Sequence, residues 1–183
     1  YILDKFLNLK INNKEDLESI NELIKFNSRV GIGYDVHKLE LGNTLILGGV
    51  TVPCHKGTVA HSDGDVVIHA ICDAILGAAS LGDIGHFFPD NDEKYKDINS
   101  KILLKEVFKM IEKLGYSIVN VDVSIILEDP KLKDHLNEMK FEISNCIKVS
   151  KENINIKATT SEKLGFVGRG EGVACHAITL LTK

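Results

Sequence analysis

The chain has 183 residues, 44% of them hydrophobic and 26% charged, enough apolar material for one globular domain with a buried core. Its 26 acidic and 22 basic residues give a formal charge of −4, and no Lys/Arg block stands out, so no nucleic-acid surface is expected. No apolar run approaches the roughly 20 residues needed to cross a bilayer, so no membrane partner is expected either.

The chain begins at Tyr1, and residues 1–28 are rich in Lys, Asn, Ile and Leu. Leu17, Ile20, Leu23 and Ile24 fit one face of a short helix, while charges interrupt every apolar run, unlike a signal peptide. Residues 1–28 are read as an N-terminal extension, a helical remnant of a longer precursor, and residues 29–183 as a single domain. Within it, RVGIGYDVH (29–37) and NTLILGGVTV (43–52) read as strands on either side of a turn. GDVVIHAICDAILGAAS (64–80) reads as a helix buried on most sides, through Val66, Ile68, Ala70, Ile71, Ala74, Ile75 and Ala78. A second helix starts near Ser100, its expected cap, repeats Leu103, Val107, Met110, Ile111 and Leu114, and stops at Gly115. SIVNVDVSIIL (117–127) alternates Val119, Val121, Val123, Ile125 and Leu127 onto one face, as a half-buried strand does. A third helix follows Pro130, with Leu136, Met139, Ile143 and Cys146 in register, and INIKA (154–158) and VACHAITLL (173–181) supply two more strands. Mixed elements with short connections predict one α/β domain with helices packed on a sheet. Cys54, Cys72, Cys146 and Cys175 lie far apart with no C-x-x-C pair, so reduced thiols are expected.

On an extended strand, residues two apart face the same side, so Asp35 and His37 of GIGYDVH converge. A third ligand could come from the buried helix, where Asp65, His69 and Asp73 are spaced i, i+4, i+8. Two nitrogens and one carboxylate oxygen with a fourth position open suit a catalytic zinc ion, although a D-x-H pair is as compatible with ordinary hydrogen bonding or solvation. AHSDGDVVIH (60–69) opens the helix with Ser62, Asp63 and Gly64, whose surroundings could receive an anion or simply cap the helix. LGDIGHFFPDND (81–92) is a loop that a turn alone would explain. ATTSEKLGFVGRGEG (158–172) places two Thr, a Ser, a Glu and Arg169 among glycines 165, 168, 170 and 172, which suits close backbone approach to a phosphate ligand. It lacks the P-loop pattern, and GIGYDV lacks the third glycine of a dinucleotide fingerprint.

The segments DVH (35–37), GG (48–49), AHSDGDVVIHAICDAILGAASLGDIG (60–85), FPDND (88–92), NVDVSII (120–126), PK (130–131) and KATTSEKLGFVGRGEGVAC (157–175) closely resemble the 2-C-methyl-D-erythritol 2,4-cyclodiphosphate synthase family. The match runs in order over nearly all of residues 29–183. The resemblance implies that Asp35, His37 and His69 hold zinc, and that Glu162 holds Mg²⁺ or Mn²⁺ at the substrate's diphosphate. It implies that His61 and Thr160 stabilise the transition state. Asp83, Ile84 and Gly85 match the loop for the methylerythritol part, with Phe88, Pro89, Asp90 and Asp92 nearby. Leu127, Pro130, Lys131, Leu132 and Lys133, with Asp73, Thr159 and Ser161, match the cytidine side, and Ser62, Phe166 and Arg169 match further substrate contacts.

The resemblance also implies a mixed four-stranded sheet with helices on one face, and a homotrimer with active sites between subunits. The implied reaction is a phosphorus–oxygen lyase step of the non-mevalonate isoprenoid route. In it, 4-diphosphocytidyl-2-C-methyl-D-erythritol 2-phosphate closes to the cyclic diphosphate and releases CMP. Some members are thought to hold an isoprenoid diphosphate in the central channel of the trimer. There this chain departs from the family: His176 stands where a glutamate is frequent, either as a neutral substitution or as a change that frees Arg169 and makes the channel more positive as His176 protonates. A zinc-dependent phosphohydrolase and a non-catalytic, zinc-stabilised scaffold are the competing readings. Membership implies a plastid if the source is eukaryotic and the cytoplasm otherwise.

Overall fold

The structure, a computed structural model, describes Lys14 and residues 28–183; the helix expected around Leu17, Ile20, Leu23 and Ile24 lies outside the described residues. Strand β1, Arg29–Leu41, alternates as far as Glu40, and Leu41 at its end is exposed. Val30, Ile32, Tyr34 and Val36 face outward, whereas Gly31, Gly33, Asp35, His37 and Leu39 face the helical layer. Helix α1, Val66–Ala78, crosses that inner face. A Cβ on Gly31 would overlap the carbonyl oxygen of Ala74, and one on Gly33 that of Ala70, so the glycines let the helix backbone settle directly on the strand. The alanines of α1 serve the same approach, and the rest of the helix is buried among aliphatic side chains.

β1 pairs antiparallel with β4, Lys56–Val59, on one side and with β7, Gly172–Thr182, on the other. β7 pairs antiparallel with β5, Ser117–Ile126, which pairs parallel with β6, Ile154–Thr159. The sheet therefore has five strands in the order β4-β1-β7-β5-β6, not the four expected, because β1 runs on past the core to recruit β4. The 43–52 segment also differs from expectation. Leu45–Leu47 (β2) and Val50–Val52 (β3) form their own hairpin, with Gly48 and Gly49 both at positive φ in the turn, as a two-residue hairpin needs. β5 carries a register shift between Ile118 and Asn120 that turns Val119 outward, so the expected alternation holds only from Val121 onward.

A short helix α2, Ile84–Phe87, follows α1. Helix α3, Ser100–Lys113, is capped by the Asn99 side chain rather than by Ser100, which is fully buried. Helix α4, Leu136–Ile147, makes the crossover between β5 and β6, and a one-turn helix α5, Gly165–Gly168, precedes β7. The helices thus cover one face of the sheet. On the other, β1 presents Val30 and Ile32 at 69% and 67% exposure, alongside Tyr34, Val36 and Ile178. All four cysteines are free thiols, three of them buried.

Candidate metal and phosphate site

Where α1 crosses β1, three donor atoms meet. His37 Nε2 and His69 Nδ1 are 3.0 Å apart, and Asp35 Oδ2 is 3.1 Å from each. Ligands of a tetrahedral zinc ion, bound at about 2.05 Å, stand about 3.3 Å from one another, so this triangle matches one face of such a site almost without adjustment. No other cluster of three or more His, Cys, Asp or Glu side chains with this convergence occurs among the described residues. Burial works against charge on Asp35, but hydrogen bonds to His37 and His69 hold its carboxyl far below the usual range. His69 is likewise disfavoured as a cation by burial, yet the Asp35 carboxylate raises its pKa overall. Each group thus favours the charged form of its neighbour, and a cation at the centre would take over that role.

Of the three helix residues on the expected face, only His69 joins the triangle. Asp65 is fully buried and caps α1: its carboxylate accepts from the N–H groups of Val67 and Ile68 and from those of Gly48 and Gly49 in the β2–β3 turn. The N-terminus of α1 is therefore satisfied by its own aspartate, which overturns the idea that it receives an anion. Asp73 Oδ1 accepts the Ile84 N–H at 2.8 Å and so ties α1 to the Asp83-Ile84-Gly85 loop.

The triangle opens into a cleft of about 270 Å³ lined by His37, His61, Ser62, His69, Ile84, Phe88 and Asp90, among others. A second cavity, about 380 Å³, is lined by Leu127, Pro130, Lys131, Leu132, Lys133, Leu136, Ala158, Thr159 and Thr160. Residues 28–182 match the model of the YgbB family. A protein of Haemophilus ducreyi named 2-C-methyl-D-erythritol 2,4-cyclodiphosphate synthase is 53% identical over 155 residues, 85% of this chain and 97% of its own length. One of the same name from Alkaliphilus oremlandii is 56% identical over 85% and 99%. The chain belongs to the YgbB family, the 2-C-methyl-D-erythritol 2,4-cyclodiphosphate synthases.

Solved relatives agree. IspF of Plasmodium falciparum, in a CDP complex, superposes with a TM-score of 0.75 at 37% identity, covering 85% of this chain and 96% of that one. The bifunctional IspDF of Campylobacter jejuni gives 0.83 at 35%; the match covers 97% of this chain but only 56% of that longer protein.

Against the family pattern, the structure gathers the expected residues into two separate groups. His61, Ser62, Ile84, Phe88 and Asp90 line the cleft beside the triangle; Asp83 caps α2 through the His86 N–H, and Gly85, Pro89 and Asp92 lie on the same stretch of chain. Leu127, Pro130, Lys131, Leu132, Lys133, Thr159 and Thr160 line the other cavity. Asp73 lies next to the first group, where its Oδ1 accepts the Ile84 N–H. Glu162 is exposed; its backbone is left-handed (φ 53°), and Thr160 Oγ1 donates to its Oε1 at 3.2 Å. Ser161 N–H points to Glu128 Oε2 at 3.3 Å. Phe166 is partly exposed on α5. Arg169 is not freed by the histidine at 176: Glu171, two residues on, holds its Nε and Nη2 at 2.9 Å each. His176 instead stacks on Tyr34, with ring centroids 4.7 Å apart.

Sequence reasoning missed Asp63 and Ser100 as parts of the site. Ser100 Oγ lies 2.9 Å from His69 Nε2 and donates to Asp63 Oδ1, and Asp63 Oδ2 accepts the Ser100 N–H at 2.9 Å. Nothing in the local pattern announces a contact across 37 residues of chain.

Proposed function

We propose that the chain converts 4-diphosphocytidyl-2-C-methyl-D-erythritol 2-phosphate into 2-C-methyl-D-erythritol 2,4-cyclodiphosphate and CMP. The observation that carries this reading is the Asp35–His37–His69 triangle, set at the mouth of a cleft in a chain of this family. An oxygen of the 2-phosphate forms a bond to the diphosphate phosphorus nearer the sugar alcohol, and the bond from that phosphorus to the bridging oxygen breaks, so that CMP leaves with the electron pair. The substrate supplies both nucleophile and leaving group. The chain's task is to fold it into attack geometry and to balance charge as the ring closes.

Asp35, His37 and His69 would hold the zinc ion, which when bound polarises a phosphate oxygen and offsets its charge. His61 and Ser62, beside the triangle, would donate to phosphate oxygens on that side. Asp83, Ile84 and Gly85 would hold the sugar alcohol, with Phe88 closing the apolar side of the cleft. Lys131, Lys133, Thr159 and Thr160 would receive the cytidine side. Glu162, a single exposed carboxylate, fits only a Mg²⁺ or Mn²⁺ whose remaining ligands are water and phosphate oxygens.

The two cavities share no lining residue, and the outer face of β1 and β7 is a row of exposed apolar side chains. Both features support a homotrimer in which one subunit's metal cleft meets its neighbour's cytidine cavity while the apolar row is buried at the centre. An isoprenoid diphosphate would find in such a centre a lining suited to its hydrocarbon tail. Incubation with the substrate, followed by ³¹P NMR, should yield the cyclic diphosphate and CMP in equal amounts. Linear phosphate products would favour the hydrolase, and loss of the folded state on chelation would favour the scaffold.

A further inference from the structure

His69 is contested at both ends of its ring. Nδ1 faces Asp35 Oδ2 at 3.1 Å, and that carboxylate pulls a ring proton toward the very nitrogen that must offer its lone pair to a metal. Nε2 faces Ser100 Oγ at 2.9 Å, with Ser62 Oγ as a longer contact at 3.3 Å. The direction of hydrogen bonding along this second arm is fixed by chemistry. Asp63, a carboxylate, only accepts, so the single hydroxyl proton of Ser100 is directed to Asp63 Oδ1. Ser100 Oγ then has only lone pairs left for His69, and its partner must be an Nε2–H donor.

We propose that Asp63, acting through Ser100, is a positioning residue that keeps the ring proton of His69 on Nε2 and leaves Nδ1 free to ligate at the Asp35–His37 corner. The placement supports it: Ser100 is fully buried and fixed by the start of α3, and Asp63 is fixed by accepting the Ser100 N–H as well as its hydroxyl. Metal-ligating histidines commonly donate their other ring N–H to such a partner. The inference rests on the metal reading given above, and the test separates the two.

Asp63→Asn keeps the shape and reverses the arm. The backbone N–H of Ser100, at 2.9 Å, selects the amide oxygen over the longer Asp65 N–H contact of 3.3 Å on the other side, which leaves the NH₂ group facing Ser100 Oγ and turns the hydroxyl proton toward His69 Nε2, where it conflicts with Nε2–H. Zinc affinity, measured by competition with a chromophoric chelator, should fall by about 10–100-fold in Asp63→Asn and in Ser100→Ala, and Ser100→Thr should recover most of it. Zinc-free Asp63→Asn should keep the parent's secondary structure by circular dichroism while melting slightly lower, because its NH₂ group also meets the Asp65 N–H. In the zinc-loaded parent, long-range ¹H–¹⁵N spectra should show a downfield, exchange-protected Nε2–H for His69, shifted upfield and exchanging faster in both variants. Unchanged zinc affinity in Asp63→Asn and Ser100→Ala, or an Nε2–H resonance indifferent to both, overturns the inference while leaving the metal site intact. A parent that takes up no zinc removes the metal reading, and this inference with it.

Discussion

Single side chains decide whether the site exists. His69→Ala removes one of the three converging donors, and no cysteine lies in the triangle to replace it. Metal content and turnover should fall together, by more than the roughly 100-fold that loss of an outer partner costs; full zinc occupancy by elemental analysis would exclude His69 as a ligand. Asp65 works at one remove, joining the β2–β3 turn to the start of α1. Burial pushes its carboxyl up to about 6 despite its backbone N–H partners, from an ordinary 3.8. Because the folded pKa is raised, the unfolded chain releases this proton first. The stability that the group contributes is full below about pH 4 and lost as pH rises through about 6. Asp65→Asn should flatten that part of the stability curve. It should also cost about 2 kcal/mol at neutral pH, since an NH₂ group then meets backbone N–H donors. Denaturant melts of the zinc-free protein at pH 4, 5 and 7 measure both effects, and an unchanged slope would mean that another group titrates there.

At the scale of elements, the crossing of α1 on β1 sets the reach of His69. The inner face of β1 changes function along its length: two glycines admit the helix, and two residues further on the same face carries ligands. Gly33→Ala puts a methyl group against the Ala70 carbonyl, one residue from His69. We expect a loss of about 3 kcal/mol from overpacking, together with weaker zinc binding as the helix backs away. Gly77, on the same helix, would bring an added Cβ into no clash, only ordinary contact with Ile32 O at 3.8 Å. Gly77→Ala should therefore stabilise the fold by about 1 kcal/mol through helix propensity alone. Equal effects from the two substitutions, read from thermal melts, would show that the close approach is not what Gly33 provides.

For the whole molecule, the proposed reading requires two cavities that share no lining residue to serve one substrate. The proposed trimer meets this requirement, and the row Val30, Ile32, Tyr34, Val36 and Ile178 is where it can be broken without touching the donors. Ile32→Glu should lower the mass seen by light scattering from about three times 20.2 kDa to that of one chain, and activity should disappear while the isolated subunit keeps its secondary structure. An active monomer would require the two cavities to serve one substrate within a single chain.

The sequence by itself determined much of this. Period-two alternation placed Gly31, Gly33, Asp35 and His37 on one face, helical spacing put His69 among the candidate ligands, and the ordered motifs named the family. The strand and helix faces are set by backbone periodicity that a short window already contains, whereas the motif match rests on residue identities in order along the chain. What the tertiary structure decided involves partners distant in the chain. It closed His69, which the family motif had already named, onto the Asp35–His37 corner, gave Asp65 to the Gly48-Gly49 turn and Asp73 to Ile84, and brought Ser100 to His69. It added β4 to the sheet, turned Val119 outward through a bulge, and kept Arg169 on Glu171. In each case one chemical type had several acceptable local fates, and the choice fell to packing and hydrogen-bond satisfaction among residues that only the fold brings together.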